Sequence, residues 1–212
     1  MTLSTLHCGR ALARRAGAVL ALLVIAGIAG AVATAPAEAG SVALKGKATR
    51  LTLGGAMWFG LGDSIHFMPY APSTTGLDTW SIWYDMPVSG GNLDFNNKTG
   101  VIRHRGGMRL VQTMWAPGWV QCVFRDWRVT LDTSPDVSAV FVDNVRHPFL
   151  TLDTAGMSVK RWTAGGHRFI RLSGISATLA NQATDALRNT FGMGGYPYGE
   201  TFGSLTITVR AR

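Results

Sequence analysis

The chain has 212 residues, 20 Lys and Arg against 12 Asp and Glu, a formal charge of +8, and 47% hydrophobic residues. An apolar fraction this high excludes a disordered chain. The cations fall singly, as at Arg103, Arg105, Arg109, Arg125, Arg128, Arg146, Arg168 and Arg171. That spacing argues against nucleic acid and suits a mild attraction to an acidic wall or anionic lipid surface.

Arg10, Arg14 and Arg15 precede an apolar run from Ala16 to Ala35 that ends in Ala37-Glu38-Ala39. A positive start, an apolar middle and an Ala-x-Ala end predict a secretory signal peptide over residues 1–39, cut before Gly40. The strongly apolar part, Val19 to Ile25, is short for a retained anchor. The residues after Arg14-Arg15 fit a general secretory route better than a twin-arginine one. No second apolar span follows, so no stable transmembrane segment is expected after cleavage. The mature form is then one β-rich domain, residues 40–212, that is secreted or attached to the cell envelope. The leader takes three arginines and Glu38 with it, leaving 17 cations against 11 anions among 173 residues. Cys122 is the one cysteine left, so an intramolecular disulfide is excluded and the core must hold the fold.

Ser41 to Leu53 alternates and reads as a first strand or hairpin. Gly54 to Gly62 is rich in glycine and aromatic residues, and Pro69, Pro72, Ser73, Thr74, Thr75 and Gly76 mark an irregular stretch. Trp80 to Tyr84 reads as a short aromatic strand. Ser89-Gly90-Gly91-Asn92 and Asn96 to Gly100 carry turn chemistry. Val101 to Val111 reads as a strand broken at Gly106-Gly107 by a bulge or sharp bend. In Trp119 to Leu131 the apolar positions change parity, from Val120, Cys122 and Phe124 to Trp127, Val129 and Leu131, which predicts a bulge near Arg125-Asp126. Short strands follow at Val137 to Val142, Phe149 to Leu152, Met157 to Trp162 and Arg168 to Thr178. Leu179, Ala183, Leu187 and Phe191 recur every four residues and predict one amphipathic helix over about 180–191, capped by Thr178 and stopped by Gly192. Leu205, Ile207 and Val209 alternate in a terminal strand. The expected fold is mainly β, an antiparallel two-sheet β-sandwich with one C-terminal helix.

Enzyme signatures are mostly absent. The chain lacks a Gly-x-Ser-x-Gly elbow, a phosphate loop and a His-Glu-x-x-His motif. Cys122 alternates with apolar neighbours and reads as a small buried hydrophobe. The mature histidines, His66, His104, His147 and His167, lack ligand spacing, so no metal site is expected. Asn97-Lys98-Thr99 reads as a plain turn.

Gly100 to Leu110 resembles the strand pattern G-x-V-x-x-x-G-H-x-G-x-L-x-L of HtaA-type haem-binding domains of secreted actinobacterial proteins. Trp127 to Leu131, Ser173 to Ala183 and Thr201 to Ile207 resemble further segments of that family in order. The resemblance covers roughly residues 100–210. It implies a two-sheet β fold with a helix, export, and haem held by a tyrosine oxygen that a histidine hydrogen-bonds. His104 is the residue placed near the pattern's histidine. Tyr70 lies three places beyond Trp58 to Phe67, a stretch that echoes the tyrosine motif.

The expected function is therefore a non-enzymatic binding domain, taking an apolar ligand or an envelope surface through aromatic–glycine stretches. Trp58, Phe59, Trp80, Trp83, Tyr84, Tyr196 and Tyr198 are its candidate contacts. Haem capture through Tyr70 and His104 is the alternative. A wall-acting hydrolase, which needs two converging carboxylates, is a further one.

Overall fold

A computed structural model describes residues 41–54, 65–77, 81–112, 120–192 and 201–211. The leader lies outside these residues. No helix among them is long and apolar enough to cross a membrane. Twelve strands and one helix follow in chain order: β1 Ser41–Leu53, β2 Ile65–Tyr70, β3 Thr74–Leu77, β4 Ile82–Asp94, β5 Gly100–His104, β6 Gly107–Gln112, β7 Val120–Leu131, β8 Asp136–Val140, β9 Arg146–Asp153, β10 Ser158–Ala164, β11 His167–Leu179, α1 Asn181–Phe191 and β12 Thr201–Ala211.

The mainly β expectation with one helix holds, but the two-sheet sandwich does not. The strands run β7-β5-β4-β1-β12-β11-β9-β8, and β8 pairs back onto β7, from Thr130↔Asp136 to Arg125↔Val140. This pairing closes eight antiparallel strands into a barrel. Closure removes the two free edges a sandwich would keep. Strand alternation alone cannot distinguish the two, because both bury every second side chain.

Inward positions fill the barrel. Leu51, Met86, Ile102, Phe124, Val129, Val137, Phe149, Ile170, Leu172, Leu205 and Ile207 are all fully buried. Phe149 stacks on Phe124 at 4.5 Å between centroids and meets Trp127 at 4.9 Å and Phe202 at 5.7 Å. One aromatic cluster thus joins β7, β9 and β12 across the interior. Cys122 is buried there, as read from its neighbours.

Local irregularities keep the inward set inward. The parity change in β7 is a bulge, with Asp126 at φ +52° and the β8 register shifting between Arg125 and Arg128. Both apolar sets of β7 therefore face the core: Cys122, Phe124, Trp127, Val129 and Leu131 are buried. A second parity change in β1, at Gly46 and Lys47 with positive φ, puts Leu44 and Leu51 on the same side.

Three segments depart from the sequence reading. Ser89 to Asn92 is not a turn; it lies within β4, where Gly91 at φ +127° sits against Val101 and the register with β5 slips by one. The stretch read as irregular forms β2 and β3, joined through Pro72. Thr178 is in β11 and does not cap the helix. Ala180 takes the N-cap position without a side-chain bond, and its N–H donates to the Phe149 carbonyl at 2.9 Å. Gly192 ends α1 in the left-handed conformation, as the sequence predicts, its N–H reaching the Arg188 carbonyl. Ala183 and Leu187 join the main core, and α1 contacts both β9 and β7.

Phe149→Ala is expected to lower stability by about 3–5 kcal/mol, since it opens a cavity at the centre of the aromatic cluster. Urea unfolding of the chain from residue 40 measures this; a loss below about 1 kcal/mol would place Phe149 outside the structural centre.

Candidate functional site

The bend at Arg105-Gly106 shapes the wall that carries the sequence-predicted residues. β5 and β6 run along one edge of β7, Arg103 opposite Arg128 and Gly107 opposite Arg125. Between them Gly106 takes φ +78°, and a Cβ there would lie 2.6 Å from the Tyr70 carbonyl. Arg105 N–H donates to Pro87 O and Asp126 N–H to Gly106 O. Glycine is required here by conformation and by close approach. Before the bend β5 pairs with β4; past it β6 pairs with β7 and β2, and β3 takes the edge of β4.

On β3 and β4, Trp83 pairs with Gly76, and its indole lies flat over that glycine, where a Cβ would meet the ring at 2.0 Å. Arg50 lies over the same ring, its guanidinium carbon 4.0 Å from the centroid. The same guanidinium forms a two-pronged pair with Asp85, Nε to Oδ1 and Nη2 to Oδ2, both 2.8 Å. The carboxylate bond raises the Arg50 pKa. Tyr84, next in the strand, points inward and is fully buried. Its hydroxyl lacks a well-formed hydrogen bond, although Thr75 stands across the strand pair. Burial pushes its pKa up to about 12, an effect Thr75 partly offsets.

His104 also points inward and is buried. The Trp127 carbonyl can only accept, so His104 Nδ1–H donates to it at 3.2 Å. Nε2 is then the acceptor, and the buried Thr49 hydroxyl donates at 2.7 Å. This pair ties β5 to β1 and β7 inside the barrel. Burial lowers the His104 pKa to about 4, partly opposed by the Trp127 carbonyl.

Tyr70 stands elsewhere, 38% exposed at the end of β2. The cross-strand rows Tyr70–Gly107–Arg125 and Met68–Arg109–Val123 share the outer side of β2, β6 and β7. Counted from Gly100, the histidine position of the HtaA-type pattern falls on Gly107, the direct partner of Tyr70. Gly107 has no room for a side chain: a Cβ would meet the Phe124 carbonyl oxygen at 2.0 Å. Arg109 Nε is buried with no hydrogen-bond partner among the described residues. Val111, two residues on, is buried yet stands apart from the main core cluster. The outer side of this wall thus carries an exposed phenol and, near it, a buried, unsatisfied guanidinium nitrogen.

Of the sequence-predicted contacts, Trp83 is half-buried, Tyr84 is inside the barrel, and Tyr70 and His104 lie on opposite sides of the wall. Trp58, Phe59, Trp80, Tyr196 and Tyr198 lie outside the described residues. Arg109 was not a sequence candidate; the one available signal was its place in the Gly100 to Leu110 pattern. Among the described residues, no three His, Cys, Asp or Glu side chains gather as a metal site. Most of the described carboxylates serve locally: Asp85 holds Arg50, Asp126 holds Arg125, Asp143 holds His147, and Asp94 accepts the Asn96 and Asn97 N–H groups of its turn.

Two solved structures share this arrangement of strands. The C-terminal domain of HtaA from Corynebacterium glutamicum superposes with a TM-score of 0.50 at 14% identity, covering 80% of this chain and 99% of that one. The haem-binding protein HtaB from the same organism gives a TM-score of 0.50 at 12% identity, covering 81% and 96%. The chain has an HtaA-type fold. No family model and no curated protein sequence matches it. At these identities the likeness concerns the course of the backbone, and the side chains of the outer wall are this chain's own.

The His104 environment predicts a pH dependence. The folded pKa, about 4, lies below the unfolded value of about 6.5, so the unfolded state binds the proton first. The contribution is full above pH of about 6.5 and is lost as pH falls through about 4, roughly 3 kcal/mol in all. His104→Gln is expected to flatten this acid limb in urea midpoints measured between these limits; an unchanged slope would remove His104 as its source.

Proposed function

We propose that the chain is an exported, non-catalytic binding domain of the cell envelope that takes haem on the outer wall of β2, β6 and β7. The carrying observation is that the exposed Tyr70 phenol and the buried, unsatisfied Arg109 Nε lie in adjacent cross-strand rows on one side of that wall. The HtaA-type fold supports the reading, since one of its neighbours is described as haem-binding.

The residues present fit the group's chemistry. A tyrosine oxygen is a known protein ligand for ferric haem. A guanidinium matches a propionate carboxylate, and Arg109 Nε has a donor to spare. Met68 and Val123, both half-buried, supply apolar contact for a macrocycle face. Gly107 leaves the flank of Tyr70 open but gives the phenol no histidine partner. His104 holds β5 from the interior, and so acts on Tyr70 only through the position of the Gly106 bend. Bound haem supplies the iron and the large apolar plane; the chain supplies the oxygen donor, the counter-charge and the rigid wall.

Haemin titration of the chain from residue 40 tests this by absorption. A Soret shift is expected, lost or displaced in Tyr70→Phe. Arg109→Met is expected to weaken haemin binding about tenfold or more, the worth of a charge-assisted hydrogen bond, and to leave binding of haemin dimethyl ester nearly unchanged. An unshifted spectrum with the native chain would remove the proposal.

A further inference from the structure

The wall opposite β7 carries a different signature. In the closed ring β12 stands four strands from β7 in either direction, flanked by β1 and β11, with β10 extending the sheet from β11. These four strands hold Lys45, Lys47, Arg50, Lys160, Arg161, Arg168, Arg171 and Arg210, and no Asp or Glu. Of the 17 cations and 11 anions from residue 40 on, these strands thus hold eight cations and no anion.

The cations are arranged in two rows across the strands. Trp162 pairs with Phe169, Phe169 with Arg210, and Arg210 Nε donates to the Lys45 carbonyl. Two residues along, Lys160 pairs with Arg171 and Arg171 with Thr208, whose hydroxyl accepts from Arg171 Nε. Lys47 lies over the Phe169 ring at 5.4 Å and Arg171 over the Trp162 ring at 5.9 Å. Trp162 and Phe169 stack within 10° of parallel at 5.2 Å. Lys45, His167, Arg210 and Ala211 line a shallow depression of about 360 Å³. Lys45, Lys47, Lys160 and Arg171 are exposed, and none of the ion pairs among the described residues involves them or Arg210. On the adjoining strands, Asp85 is taken by Arg50, while Asp94 and Asp153 accept N–H groups in their own turns. Arg161 and Arg168 turn the other way, to the Phe95 carbonyl and ring.

We infer that this face docks on a bilayer surface bearing anionic phospholipid, with one headgroup phosphate seated between Lys45, His167 and Arg210. Charge complementarity identifies an anionic partner. The two-dimensional layout selects the bilayer: four strands about 4.8 Å apart spread the charges over about 14 Å in two rows, which meets separate headgroups in a plane, whereas one polymer strand would follow a single row. Trp162, half-buried beside the cations, is the residue type that settles at the headgroup level. The hairpin tip, Ala164-Gly165-Gly166, carries no bulk that would hold the sheet off a plane. The haem wall then faces away from the membrane, since it lies on the opposite side of the barrel.

The barrel is complete within residues 41–211, so the chain from residue 40 is the test molecule, with sedimentation against vesicles as the readout. Binding to phosphatidylglycerol–phosphatidylcholine vesicles, and not to phosphatidylcholine alone, is expected, and high salt should release it. Each basic residue at an anionic surface is worth about 1 kcal/mol, about fivefold in affinity. The triple variant Lys45→Gln, Lys160→Gln, Arg171→Gln should therefore lose about a hundredfold. Arg103→Gln, Arg105→Gln, Arg128→Gln removes the same charge from the β5–β7 wall and should lose less than about threefold. Equal losses in the two triples would overturn the inference in favour of bulk charge. Capture by a soluble glycerol-phosphate polymer without vesicle binding, or no binding to either, would overturn it as well. Unfolding midpoints confirm that both triples fold, and haemin spectra keep this result separate from the fate of the haem proposal.

Discussion

The structure depends on one requirement: a sheet that carries its hydrophobic side chains on one face must either meet another layer or close on itself. Here it closes. The seam between β7 and β8 satisfies the backbone groups of what would otherwise be two free edges, and it encloses the Phe124, Phe149, Trp127 and Phe202 cluster. No disulfide is present among the described residues, so burial and paired backbone groups hold them together. The bulges at Lys47, Ser89 and Asp126 follow from the same requirement. Each lets a long strand curve around the ring while returning its apolar side chains to the interior.

The candidate site is a by-product of that curvature. At Gly106 the chain leaves the edge of β4 where β5 paired, and β2 and β3 fill the opening. Glycine at 106 and 107 lets the backbones of β2, β6 and β7 approach closely, which leaves Tyr70 standing over a position with no side chain. Inside the same wall, His104 and Thr49 satisfy each other. The wall therefore separates two chemistries: a dry hydrogen-bonded pair that fixes strand positions, and a phenol and guanidinium on the outer side.

The two outer faces of the barrel are also unlike. Arg50 on β1 is matched by Asp85 and covers Trp83, so its charge is spent within the protein. Lys45, Lys47, Lys160, Arg171 and Arg210 are matched by no carboxylate among the described residues. A modest net charge thus becomes a directional one, through the strand order that places β1, β10, β11 and β12 side by side.

Much of this was legible in the residues themselves. The parity change from Phe124 to Trp127 marked the β7 bulge, Gly106-Gly107 marked the bend, and the four-residue recurrence of Ala183 and Leu187 marked α1 with Gly192 as its end. These signals are local, because each reports the period of a single element. The inward choice for Cys122 was legible for the same reason. Ring closure, the continuation of β4 through Gly90 and Gly91, and the strand character of β2 were not, since each depends on which distant segment supplies the hydrogen-bond partners. The placing of His104 inside and Tyr70 outside was hidden too: two residues near in pattern are set on opposite sides of a wall by register, and register exists only once the strands have paired.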